Sequence, residues 1–206
     1  MPPSRYPVPA APHRVVQTIE RSRFIADVAR VETPGEAAAF VERVRGEFPD
    51  ATHHCSAFVA GAPGSTAQIG MSDDGEPHGT AGRPILTVLL HSGVGDIAAV
   101  VTRYYGGVKL GTGGLARAYG GTVSLALATL PRTERVTFTR LVVEVDYAAV
   151  SLVQQLLPAH ETVVETQEYG EAVRYVVRVP EERAAAFRAA VLDGTRGRAR
   201  IEPVLV

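Results

Sequence analysis

Cysteine, lysine and long apolar runs are nearly or wholly missing from this chain, and each shortage removes a class of explanation. Cys55 is the only cysteine, which excludes an intramolecular disulfide framework and fits a reducing cytoplasm. The longest apolar stretches, such as 85–90 and 97–101, fall far short of the roughly 20 residues needed to span a bilayer. A membrane partner is therefore not expected. The opening MPPSRYPVPAAPH has no continuous apolar segment and is read as a loosely held tail over 1–13, neither a signal peptide nor an anchor. Of 21 basic side chains only Lys109 is a lysine. Acid is missing locally as well: no Asp or Glu lies between Asp96 and Glu134, an interval that holds Arg103, Lys109, Arg117 and Arg132. The formal net charge of −1 thus hides a purely cationic stretch suited to an anionic partner.

Glycine, in contrast, is concentrated. Two blocks, SDDGEPHGTAGRP (72–84) and RYYGGVKLGTGGLARAYGG (103–121), flank one apolar segment. Glycine adds nothing to a core and costs folding entropy, so its clustering beside charged and aromatic residues indicates backbone shaped for close approach.

Periodicity organises the rest. Residues 14–20 and 22–31 alternate as two strands. Thr33-Pro34-Gly35-Glu36 caps a helix whose apolar face carries Phe40, Val41, Val44 and Phe48. Strands are expected over 52–60 and 66–71, a helix over 80–91, a buried strand over 96–105 and a helix over 113–130. After Pro131 the order becomes strand 135–145, helix 147–157, strands 161–168 and 172–179, helix 181–192 and strand 198–204. That is the split βαββαβ, ferredoxin-like pattern. The expected organisation is α+β with two domains, 14–131 and 132–206, and the sequence leaves the oligomeric state open.

The second glycine block carries the sharpest chemical expectation. A buried strand ends, a glycine loop holds Lys109, and a helix begins near Gly113 with no acid at hand. Its exposed N–H groups and dipole favour phosphate or carboxylate. Arg103, Tyr104, Lys109, Gly111, Gly113, Gly114, Arg117 and Tyr119 form the candidate anion or nucleic-acid surface, with tyrosine rings for stacking on exposed bases. Gly111-x-Gly113-x-x-Ala116 matches a shortened dinucleotide fingerprint but lacks the acid about 20 residues on, and the Walker pattern fails after Lys109.

The first block offers Asp73, Asp74, Glu76, His78 and Arg83. Three acids in four residues could hold Mg²⁺; the competing reading, which general turn chemistry favours, is an Asp-Gly turn whose carboxylates bond backbone, with Arg83 paired to one acid. No other cofactor is expected. His53 and Cys55 share a strand face, but two ligands do not make a zinc site. A nucleophilic Cys55 assisted by His53 or His78 is the remaining catalytic alternative.

The two glycine blocks, with His53-His54-Cys55 and Ser22-Arg23-Phe24-Ile25-Ala26, resemble the signature of the YigZ/Impact family. The resemblance implies an N-terminal domain like the second domain of small-subunit ribosomal protein five and a C-terminal domain similar to a ferredoxin-like domain of elongation factor G. It implies a cytoplasmic protein that engages RNA, the ribosome or a translation-associated partner. Binding is favoured over enzymatic action. The rivals are a Mg²⁺-dependent enzyme acting on a phosphorylated or carboxylated small molecule and a protein-docking scaffold.

Overall fold

The computed structural model describes residues 3–204 and divides into two compact units, Met1–Arg135 and Val136–Val206. In the first unit the strands β2 (His13–Ile19), β3 (Ser22–Arg30), β4 (His53–Val59), β5 (Ile69–Ser72) and β6 (Ile97–Tyr104) form one sheet in the order β2-β3-β6-β4-β5. All of its neighbouring strands run antiparallel.

Helices cover both faces, which explains why β6 is apolar at every position from Ile97 to Val101. Ile97, Ala99 and Val101 pack with residues of α2 (Gly82–Leu90) and α3 (Gly111–Thr129), including Ile85, Leu89, Tyr119 and Val123. Ala98 and Val100 face the other way, towards Ala37, Phe40 and Val44 of α1 (Pro34–Glu47). A strand buried on both faces has no polar register to keep. Helix α1 begins as its sequence dictates: Thr33 Oγ1 accepts from Glu36 N at 3.2 Å, and the Glu36 carboxylate accepts from Glu32 N at 2.8 Å. The latter bond falls one residue before the usual capping-box partner.

The expected loose tail is corrected, apart from its first two residues, which lie outside the described ones. Arg5–Pro9 is a strand, β1, paired with β7 (Arg132–Val136). Val8 is wholly buried. The anchor is Asp96, also wholly buried, which accepts from Tyr6 Oη at 3.0 Å and from Gly61 N at 2.8 Å and is paired with Arg135. Pro7 and Pro9 are tolerated because this ribbon has only two strands, so their missing N–H groups need face no partner. The same pairing holds β7 in the first unit. Hence the division falls after Arg135 and not after residue 131.

In the second unit β8 (Phe138–Val145), a 3₁₀ turn (Tyr147–Ala149), α4 (Val150–Ala159), β9 (Val163–Tyr169), β10 (Val173–Pro180), α5 (Glu181–Gly194) and β11 (Arg200–Pro203) follow in turn. The sheet order β11-β8-β10-β9 is the ferredoxin-like arrangement. Asp146 caps the first turn, its Oδ1 accepting from Ala149 N at 3.0 Å. On β10, Val173, Tyr175, Val177 and Val179 are buried, while Arg174 and Arg178 lie on the open face beside Glu168 and Glu165.

Candidate functional site

The end of β6, the start of β4 and the start of β3 meet at one end of the first unit's sheet, with Arg103 opposite His53 and Tyr104 opposite Arg23. The glycine loop leaves from that end. Gly107 and Gly111 adopt left-handed φ values of 84° and 68°, which glycine accepts without strain. Gly106 serves a different need: a Cβ there would overlap the backbone of Arg21. Its N–H donates to Ser22 Oγ at 3.1 Å, so the β2–β3 turn is seated directly on the loop.

Helix α3 then starts at Gly111 with no side chain capping it and no acid in its first turn. Gly111 to Gly113 and Lys109 are exposed, and Arg117 is exposed one turn further on. Lys109 and Arg117 line one groove together with Gly114 and Glu20, the only acid on it among the described residues. Neither cation has a carboxylate partner among the described residues. The candidates Lys109, Gly111, Gly113, Gly114 and Arg117 are thus brought together.

Two members of the expected anion surface are not on it. Arg103 and Tyr119 are buried, and both are committed to Glu76: Arg103 Nη1 donates to Glu76 Oε1 at 2.5 Å and Tyr119 Oη donates to the same oxygen at 2.7 Å. Arg103 Nη2 also donates to Ser22 Oγ at 3.3 Å. The physical reason is mutual: a carboxylate and a guanidinium leave water together or not at all. Burial, followed by the neighbouring Cys55 and Glu76, pushes the Tyr119 hydroxyl above its ordinary range. Tyr119 packs edge-on against Phe24 with ring centroids 5.3 Å apart.

Tyr104 is half-committed. Its hydroxyl donates to Asp50 Oδ1 at 2.8 Å, and the Arg23 guanidinium lies 4.3 Å from its ring centroid. Its neighbour Tyr105, 48 % exposed, is the tyrosine that lines a cleft at this end of the sheet. The cleft has a volume of about 530 Å³. Thr52 and His53 from β4's approach, Pro77, and Lys109 to Thr112 complete its walls, and Glu76 and Arg103 form part of its floor.

The acidic block folds as a turn, and the carboxylates of Asp73, Asp74 and Glu76 that the Mg²⁺ reading would use are each bonded to protein groups. Asp73 accepts from Ala81 N and Gly82 N through Oδ1, at 3.0 and 2.8 Å, and from Gly79 N through Oδ2 at 2.7 Å, so it caps α2. Burial acts to raise its carboxyl pKa, but the three N–H bonds together outweigh that and hold it below the ordinary value. Asp74 binds Arg45 at 2.9 Å and His54 N at 2.6 Å. Glu76 is taken by Arg103. No cluster of three metal-ligating side chains occurs among the described residues. Arg83 stands exposed on α2 and pairs with none of these acids among the described residues, contrary to the expected pairing.

His53 and His78 part company. His78 projects into solvent, with Nδ1 3.8 Å from Asp73 Oδ2. His53 Nδ1 lies 2.8 Å from the Asp74 carbonyl oxygen, so in the neutral ring Nδ1 carries the proton and Nε2 is left as an acceptor, 3.9 Å from Glu76 Oε1. Cys55 is wholly buried; burial pushes its thiol far up, and its Sγ donates to the Asp73 carbonyl at 3.0 Å. Burial and the raised pKa both favour the protonated thiol over the reactive thiolate.

Sequence reasoning missed Arg21, Arg23, Ser22 and Thr52 as parts of this end of the sheet, and of the adjacent tyrosines beside the loop it chose Tyr104 over Tyr105. Their signal was weak. Ser22 and Arg23 stood in a string noted only for its likeness to a family, and the turn that presents Arg21 has left-handed φ at non-glycine residues, 46° at Glu20 and 65° at Arg21.

Comparison with known proteins bears on both units. Residues 20–127 match the Impact N-terminal domain and residues 143–198 match a domain of unknown function, DUF1949. The chain is 46 % identical over 190 residues to the IMPACT family member YigZ of Escherichia coli K12, covering 92 % of this chain and 93 % of that protein. It is 38 % identical over 193 residues to the IMPACT family member YvyE of Bacillus subtilis 168, covering 94 % and 87 %. A crystal structure of a hypothetical protein, 43 % identical, superposes with a TM-score of 0.69 over 98 % of both chains. No helix among the described residues is long and apolar enough to cross a membrane. With both of its halves matched and nearly its full length aligned to these relatives, the chain belongs to the IMPACT family.

Proposed function

We propose that this IMPACT family member is a cytoplasmic binding protein that grips single-stranded RNA, on the ribosome or in another translation-associated complex, through the amino end of α3. One observation carries the reading: Lys109 and Arg117 stand exposed and unpaired beside an uncapped helix start, while elsewhere in the chain most arginines are tied to carboxylates, as Arg14, Arg103, Arg135 and Arg178 are. Unpaired cations beside free helix N–H groups suit phosphate oxygens. Arg21, exposed on the turn seated against Gly106, adds a third positive charge. Arg23, stacked on Tyr104, presents a cation and a ring in one place.

The fit is to backbone phosphate and unstacked bases, and not to a defined sequence. The test is fluorescence anisotropy with a short labelled single-stranded RNA and Lys109→Gln/Arg117→Gln. Each phosphate contact contributes about 0.7 to the slope of log affinity against log salt, so losing two flattens that slope by about 1.4. An unchanged slope in the folded double variant rejects this surface. If the chain captures its partner only through protein contacts insensitive to nuclease, the docking-scaffold reading replaces it.

A further inference from the structure

The cleft beside the glycine loop has features that backbone gripping alone does not use. Its volume, about 530 Å³, is large enough for a small-molecule ligand. Lys109, the only lysine, lies at its rim and faces both the cleft and the adjoining groove. Tyr105 forms one wall, and its ring is already backed by the Arg103 guanidinium 5.5 Å from the centroid. That leaves a stiffened, half-exposed aromatic face.

Polar groups converge on the same space. Thr52 Oγ1 accepts from Tyr105 N at 3.1 Å, which leaves its hydroxyl proton free to donate. In its neutral form His53, whose Nδ1 proton is directed at the Asp74 carbonyl, leaves Nε2 as an acceptor. At the floor Arg103 Nε is buried and, among the described residues, has no hydrogen-bond partner, in a side chain only 6 % exposed. Such an orphaned donor calls for an explanation.

The geometry points to a pocket for one nucleotide unit carrying a terminal phosphate. The phosphate sits at Lys109 and the α3 amino end, the base lies on Tyr105, and a base N–H donates to His53 Nε2. The inference rests on the RNA reading of this surface, and the nucleotide comes either free or as the phosphorylated end of a strand. Stacking on an aromatic ring, a cation for the phosphate and a fixed acceptor for an exocyclic amine are together what a nucleotide presents and a bare phosphate does not.

Isothermal titration of the full chain uses adenosine monophosphate, adenosine and inorganic phosphate as probes, with competition by short RNAs that bear or lack a terminal phosphate. Adenosine monophosphate is expected to bind more tightly than either fragment. Tyr105→Ala should weaken it about tenfold while leaving inorganic phosphate unchanged. Lys109→Gln should weaken both. Both side chains are exposed, so the variants fold, as circular dichroism checks. Competition by RNA only when it carries the terminal phosphate identifies the strand end as the source, and no competition identifies the free nucleotide. If adenosine monophosphate fails to bind, or binds no better than phosphate and ignores Tyr105→Ala, the pocket is refuted even where RNA binding through Lys109 and Arg117 persists. Conversely, nucleotide binding without any RNA binding upholds the pocket and removes the RNA reading.

Discussion

Removing one member of the Glu76 and Arg103 pair should cost more than removing both. The two groups are 4 % and 6 % exposed and meet at 2.5 Å, with Tyr119 donating to the same carboxylate oxygen. Glu76→Gln leaves a buried guanidinium without a counter-charge, and Arg103→Met leaves a buried carboxylate without one. Each should destabilise the first unit by about 3–5 kcal/mol. The double variant replaces the pair by neutral groups of similar volume, and the new amide oxygen still accepts from Tyr119, so it should lie within about 2 kcal/mol of the parent. The coupling is then about 4 kcal/mol or more, far outside the additivity expected of independent sites. Urea unfolding followed by circular dichroism measures it; with a slope of about 2 kcal/mol per molar, each single variant loses roughly 2 M in midpoint. Single variants costing under about 1 kcal/mol each and summing to the double would show that the pair does not hold the core. Arg103 would then be free for a ligand.

Other consequences are open to simpler measurements. Gly106→Ala should destabilise by about 3 kcal/mol or more and shift the amide resonances of Arg21 and Ser22, because its Cβ meets backbone that cannot yield. Gly113→Ala, whose Cβ meets only the Arg117 Nη1 atom at 3.5 Å, should change stability by less than about 1 kcal/mol. Asp73 has a folded pKa below its ordinary 3.8, so its contribution is present above that value and is lost as pH falls through the folded pKa. Asp73→Asn should therefore be less stable at neutral pH and show a flatter acid limb in pH-dependent melting. Deleting the first nine residues removes Tyr6 and Val8 and leaves Asp96 short of a donor. The melting temperature should drop by several degrees, about 2–4 °C for each kcal/mol lost.

The elements that were legible in the sequence are those whose causes are local. Thr33 and Glu36 mark the start of α1 because capping spans only a few residues, and the βαββαβ order of the second unit follows from its alternation and turn residues. Strand β6 was readable because burial on both faces writes itself as an unbroken apolar run. What the sequence concealed depends on distant partners. Strand β1 was hidden in a proline-rich opening, since its partner β7 lies more than a hundred residues away, as the bond from Arg5 to Glu134 at a separation of 129 shows. Arg103 and Tyr119 looked like surface groups beside a glycine loop. Their common partner Glu76, 27 and 43 residues away respectively, takes both inside. The cationic character of the loop was legible because it is an absence of acid in a continuous stretch, whereas the cleft was not, because β4 and the Glu76 turn build half of it. Tyr105 was passed over for Tyr104 by the same limit: strand alternation says that the two face apart and is silent on which faces the site.

The most direct test is a titration of isotopically labelled chain with a short single-stranded RNA, read amide by amide. If the amino end of α3 holds the phosphates, the N–H resonances of Gly111, Thr112, Gly113 and Gly114 shift first and together, with Lys109 and Arg117 following and salt reversing the change. Shifts confined to the open sheet face of the second unit, with residues 109–117 silent, would contradict the account.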